Sequence, residues 1–269
     1  MPNTPHHVYF VHGIGKHDAD WVDTEKDNNT TLHQQLEDSW KRYNANGHLG
    51  DFDKELDLVP VHYDHIFSML YQQWADEVGK LKTHLAAFSG LTDKLEPLIK
   101  IAESPANGVA EDNFFYTHIL DVLWYWGNTL VQDKIIADVA DQIISDVAKH
   151  YGKAGHTFSI VAHSLGTSVA HKVIQALWTQ PEYANRIDNA SSLSQVLKFR
   201  VLMQVSNTSF VLSANRDQHY QTQVKPSAIG NRGVCRTMIN VSNRYDLISE
   251  TVPFTPPTGR VVGCTHPVG

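Results

Sequence analysis

Two short segments carry residue types and spacings able to do chemistry. The first is Ala162-His163-Ser164-Leu165-Gly166, which matches the strand–turn–helix pattern G-x-S-x-G with alanine at the first position. An apolar run, Phe158 to Ala162, precedes it, and a helical pattern with Val169, Val173, Ile174 and Leu177 on one face follows. The pattern needs small residues beside the serine, because the turn is sharp and a bulky side chain would strike the neighbouring strand or helix. Ser164 is then a nucleophile held at the N-terminus of a helix, where developing negative charge is favoured. The second segment is His12-Gly13-Ile14-Gly15, directly after the apolar run Val8 to Val11. A glycine here lets backbone come close to a substrate oxygen. The N–H groups of Ile14 and Leu165 are the expected oxyanion donors. Neither G-x-G-x-x-G nor a Walker lysine pattern is present, so a phosphate loop is the weaker reading.

The two segments, followed in order by Asn243-Arg244-Tyr245-Asp246, resemble an α/β-hydrolase-fold serine esterase or lipase. The resemblance runs from Val8 to about His266 and is least marked in the helical stretch between. It implies a triad acid at the end of a strand beyond the serine, a position Asp246 occupies, with Asp217 in reserve within the polar run Asn215 to Gln223. It implies a base after the acid, and His266 is the one histidine beyond Asp246. Asp246 would orient His266, and His266 would take the Ser164 proton. Asp121-Val122-Leu123-Trp124-Tyr125, a long helix and then the serine motif are also similar to the DDHD-type phospholipase A1 group.

The elements that must position these residues read as alternating strands and helices, an α/β fold with a mainly parallel sheet flanked by helices. Strands are expected at Val8–Val11, Leu56–Tyr63, Phe158–Ala162, Phe199–Val205, Thr237–Val241 and from Val261. Pro60 complicates the second of them. Thr30 or Thr31 caps a helix with Leu32, Leu36, Trp40 and Tyr43. Ile66 to His150 is helical in pattern, too long for a simple crossover, and broken at Pro97, Pro105 and Gly108. Its last piece places Ile136, Val139, Ile143, Ile144 and Val147 on one face. The expectation is a single α/β-hydrolase domain over 1–269 with a helical cap insertion at about 64–128, whose aromatic residues, Phe67 to Trp126, would line an acyl pocket.

Composition bounds the rest. Hydrophobic residues make up 42% of the 269 residues and charged residues 19%, enough for a sizeable core. The net charge of −7, without a Lys/Arg cluster, argues against nucleic acid as a partner. No stretch nears the ~20 apolar residues of a membrane span, and Met1 to His7 lacks signal-peptide features, so a cytoplasmic location is expected. Two cysteines, Cys235 and Cys264, build neither a disulfide framework nor a four-ligand zinc site. His62-Tyr63-Asp64-His65 has a metal-like look but no further ligands at a recognisable spacing, so neither metal nor cofactor is expected. The reading is a serine hydrolase that cleaves a small-molecule ester or lipid through an acyl-enzyme. A thioesterase or acyltransferase would use the same residues, and a non-catalytic hydrolase-fold binding protein would lack the histidine. Oligomeric state is not legible.

Overall fold

The computed structural model describes residues 4–15, 17–25, 30–85, 121–122, 124–151, 155–186, 197–213, 224–226, 233–243 and 261–266. Among the described residues six strands form one sheet in the order β2-β1-β3-β4-β5-β6. They are β1 (His6–Val11), β2 (Leu56–Val61), β3 (Thr157–His163), β4 (Phe199–Val205), β5 (Cys235–Asn243) and β6 (Val261–His266), and every neighbouring pair is parallel. The helices are α1 (Leu32–Tyr43), α2 (Phe52–Glu55), α3 (Asp64–Leu85), α4 (Thr129–His150), α5 (Leu165–Thr179) and α6 (Pro181–Ala184).

The chain divides into two compact units, one of residues 1–62 and 135–269 and one of Tyr63–Lys134. The first holds the sheet. Its β1 strand is covered on both faces, as a continuous apolar run in a parallel sheet requires. Val8 and Phe10 pack with Trp21, Val22, Leu32 and Leu36. Tyr9, between them in sequence, is fully buried and donates its hydroxyl to Asp146 of α4 at 2.9 Å. Burial and the neighbouring Asp146 carboxylate both push the Tyr9 hydroxyl well above its ordinary pKa. Pro60 is tolerated because β2 is the edge strand, so a missing N–H need not break a ladder on its open side.

Local signals settle the helix start at α1. Thr31, not Thr30, is the cap: its side chain accepts from Gln34 N–H, and the Gln34 side chain accepts from Thr31 N–H. In α4 the buried stripe is Val131, Ile135, Val139, Ile143, Ile144 and Val147. Ile135 takes the deeply buried place expected of Ile136, which is half-buried, since a shift of one residue turns a side chain by about 100°. β6 is longer than expected: it stays in register with β5 as far as Asn243↔His266.

The Tyr63–Lys134 unit includes α3 and helical residues at 121–122 and 124–127. Tyr71 of α3 donates its hydroxyl to the buried Asp121 carboxylate. Burial raises the Asp121 carboxyl to about 6, with nearby Asp64 adding to the rise and the Tyr71 bond opposing it. Among the described residues no helix is long and apolar enough to cross a membrane.

Candidate active site

Strand order fixes where a site can form. From the carboxyl end of β1 the chain leaves to reach β2 on one side, and from the carboxyl end of β3 it leaves towards β4 on the other. The two exits diverge, and such a switch point opens a crevice at the carboxyl edge of a parallel sheet. His12-Gly13-Ile14 occupies one lip and Ser164 the other.

Ser164 is the N-cap of α5, with φ 51° and ψ −124°. This is a left-handed conformation that L-residues rarely adopt, costing on the order of 1–3 kcal/mol. It persists because its surroundings hold it from three sides. Ser164 N–H donates to the Val205 carbonyl of β4 at 2.9 Å. The Ser164 carbonyl accepts from Thr167 N–H at 2.9 Å, from the Thr167 hydroxyl at 2.7 Å and from the Thr208 hydroxyl at 2.9 Å. Thr208 in turn hydrogen-bonds the Ser168 hydroxyl at 2.9 Å and donates its N–H to the Thr167 oxygen at 2.8 Å. Thr167, Ser168 and Thr208 are buried. The loop after β4 therefore fastens the turn that follows β3.

Two glycines make the close packing possible. A Cβ on Gly166 would sit 2.2 Å from the His12 carbonyl oxygen and 2.5 Å from that of Val11. A Cβ on Gly13 would sit 2.9 Å from His163 Nδ1 and 3.0 Å from Ser164 Cβ. Only hydrogen at both positions lets the loop after β1 lie against the serine turn. Ile14 thus follows a residue that touches the turn, and Leu165 opens α5, where first-turn N–H groups have no acceptor within their own helix. His12 is buried, with Nδ1 2.8 Å from the Gly13 carbonyl, and stacks on His17 at 4.1 Å between ring centres. It braces the loop and, with His17, contributes to the cavity wall.

A cavity of about 450 Å³ opens beside this arrangement, within the roughly 300–1,000 Å³ usual for small-molecule sites. Phe10, Trp21, Leu32 and Leu36 line it, with Gly13 and His163 at the serine end. Its wall comes from β1, its loop and α1.

The structure brings Ser164, Leu165, Gly13 and Ile14 to one edge. Asp246 and Asp217 lie outside the described residues. His266 ends β6, paired with Asn243, at the same carboxyl edge. β6 stands three strand spacings from β3, about 14 Å. The hydroxyl clamp of Thr167, Ser168 and Thr208 escaped sequence reading. Its one signal is Ser206-Asn207-Thr208-Ser209, a polar run directly after an apolar strand.

The metal-like His62-Tyr63-Asp64-His65 stretch has another use at its start: the His62 N–H and carbonyl clamp the Gln142 side chain at 3.1 and 2.7 Å. Cys235 is a buried free thiol, pushed up to about 12 by desolvation. Comparison with family models, with curated proteins and with solved structures finds no match to the chain.

Proposed function

We propose that the chain is an α/β-hydrolase-fold serine hydrolase that cleaves carboxylic esters. The observation that carries the reading is the Ser164 backbone, held at φ 51° and ψ −124° in a strand–turn–helix at the sheet's switch point. A strained residue held by many contacts is a mark of function, because folding alone gives no reason to keep it. In this reading the turn presents the Ser164 hydroxyl to the crevice, beside the Leu165 N–H at the start of α5 and the Ile14 N–H in the loop after β1.

In the proposed reaction Ser164 Oγ attacks the ester carbonyl as its proton passes to a histidine. The negative oxygen that forms is held by the N–H groups of Leu165 and Ile14. The alcohol leaves, and water then attacks the acyl-enzyme and releases the acid. The cavity beside Gly13 accepts the acyl part, whose apolar character matches Phe10, Trp21, Leu32 and Leu36. Asp246 three residues beyond β5 and His266 at the end of β6 complete the triad in this reading. Strand spacing requires that the His266 segment reach across β5 and β4 to meet Ser164, so the base is the assignment with the farthest to travel. Small-molecule esters or lipids are the proposed substrates.

A fluorophosphonate probe tests the reading, since it reacts quickly only with an activated serine. Labelling that maps to Ser164 and vanishes in Ser164→Ala is expected. A folded parent protein that does not label refutes the proposal.

A further inference from the structure

At the opposite, amino edge of the sheet, about 13 Å down β1 from Val11, three histidines converge. His7 lies in β1, His150 ends α4 and His156 immediately precedes β3. One ring nitrogen of each lies within 4.8 Å of the others. The ring centres are 4.4 Å apart for His7 and His150, 5.1 Å for His7 and His156, and 4.5 Å for His150 and His156. His7 is 1% exposed. We propose that His7, His150 and His156 form a binding site for a divalent transition-metal ion, Zn²⁺ being the best match to an all-imidazole donor set.

Three features favour a cation over a simple histidine cluster. The first is the spacing of ring nitrogens: His7 Nε2 and His156 Nδ1 share a hydrogen bond at 2.8 Å, whose proton a metal ion would replace. Two imidazole nitrogens bound to one tetrahedral Zn²⁺ at about 2.0–2.1 Å stand roughly 3.3 Å apart, so a small outward turn of His156 admits the ion. The second is the outer ring of carboxylates. His7 Nδ1 lies 2.9 Å from Asp57 Oδ2 and 3.6 Å from Asp146 Oδ2, within ion-pair reach of both but outside hydrogen-bond alignment among the described residues. His150 Nε2 lies 3.6 Å from Asp146 Oδ1. With the ion bound, these carboxylates would accept the outer N–H of His7 and His150 and leave the inner lone pair of each ring for the metal. Asp146 is itself fixed by the Tyr9 hydroxyl at 2.9 Å. The third is charge: two carboxylates balance one divalent ion.

Three imidazoles leave a fourth position for water. The ligands come from a strand, a helix end and the segment before another strand, so the ion would pin these three elements together. This inference does not depend on the hydrolase reading, and its test does not use activity.

Full-length protein is stripped with a chelator and titrated with Zn²⁺ against a chromophoric competitor, and separately with Co²⁺. One Zn²⁺ per chain is expected, with visible Co²⁺ bands of a nitrogen-rich four-coordinate site and a melting temperature about 5 °C higher at a hundredfold excess over Kd. His150→Gln and His156→Gln each lower affinity at least tenfold and remove the Co²⁺ bands, whereas exposed His48→Gln changes neither. Asp57→Asn keeps all three ligands and weakens binding about 10- to 100-fold. It serves where a histidine variant does not fold. Absence of saturable binding by the parent, or unchanged affinity in folded His150→Gln and His156→Gln, overturns the proposal.

Discussion

Ser164 carries opposed demands in one residue. Its conformation suits glycine, yet a glycine would have no hydroxyl. Ser164→Gly should therefore be more stable than the parent by about 1 kcal/mol, the relief of strain less glycine's greater unfolded freedom. Urea unfolding measures this, and a destabilised variant would show that the turn holds no strain. Ser164→Ala keeps the Cβ and should fold as the parent does while ester hydrolysis falls by on the order of 10³-fold or more. Gly166 is constrained by contact rather than by φ. Gly166→Ala drives a methyl into the His12 and Val11 carbonyls, so a loss of about 3 kcal/mol is expected, together with loss of fluorophosphonate labelling. A Gly166→Ala protein of parental stability would mean the loop after β1 does not lie where described.

At the scale of elements, the turn after β3 is held by the loop after β4 through Thr208. Thr208→Val keeps the shape and removes the hydroxyl that bonds the Ser164 carbonyl and accepts from Ser168. The expected cost is about 1–2 kcal/mol. A positional effect should also appear: kcat falls at least tenfold with little change in KM, since the hydroxyl never meets substrate. Equal loss in KM would place Thr208 in binding instead. In the Tyr63–Lys134 unit the buried Asp121 sets a pH dependence. Its carboxyl is raised to about 6 by burial, so its neutral form is favoured by folding. That stability is complete below the unfolded value near 4 and is lost as pH rises through about 6. The loss is on the order of 2–3 kcal/mol. Asp121→Asn stays neutral, so its stability relative to the parent should grow between pH 4 and 7. A difference that is flat with pH, read from urea midpoints, would contradict this.

For the whole molecule, the sheet order decides which loops can cooperate. The ends of β1 and β3 are adjacent, and the cavity lies on the α1 side of that junction. Leu36→Trp should fill part of it without touching Ser164. In a p-nitrophenyl series from acetate to palmitate, the parent should favour short or medium chains, and the variant should shift at least tenfold towards acetate. An unchanged profile would move the acyl group elsewhere. Asp246→Asn against Asp217→Asn separates the two acids, the first being expected to cut the rate by several orders of magnitude. His266→Ala bears on the base in the same way. If it labels with fluorophosphonate as fast as the parent, another group takes the proton.

What the sequence determined by itself is the set of features that depend on near neighbours. Six strands, the α1 cap near Thr31, the serine turn and the glycine at 13 follow from periodicity, capping and small residues at fixed offsets, all read within a few positions. Alanine at 162 in place of glycine did not hide the turn, because strand and helix on either side identify it. Tertiary structure decided everything that depends on which strands pair. It set β1 beside β3, made β2 the edge that tolerates Pro60, and brought Thr208 under Ser164. It also gathered His7, His150 and His156, whose positions span most of the first 156 residues with no motif spacing among them. Periodicity tells a strand which faces are buried but not which strand lies beside it. That choice is made by burial and crossover direction summed over the whole chain.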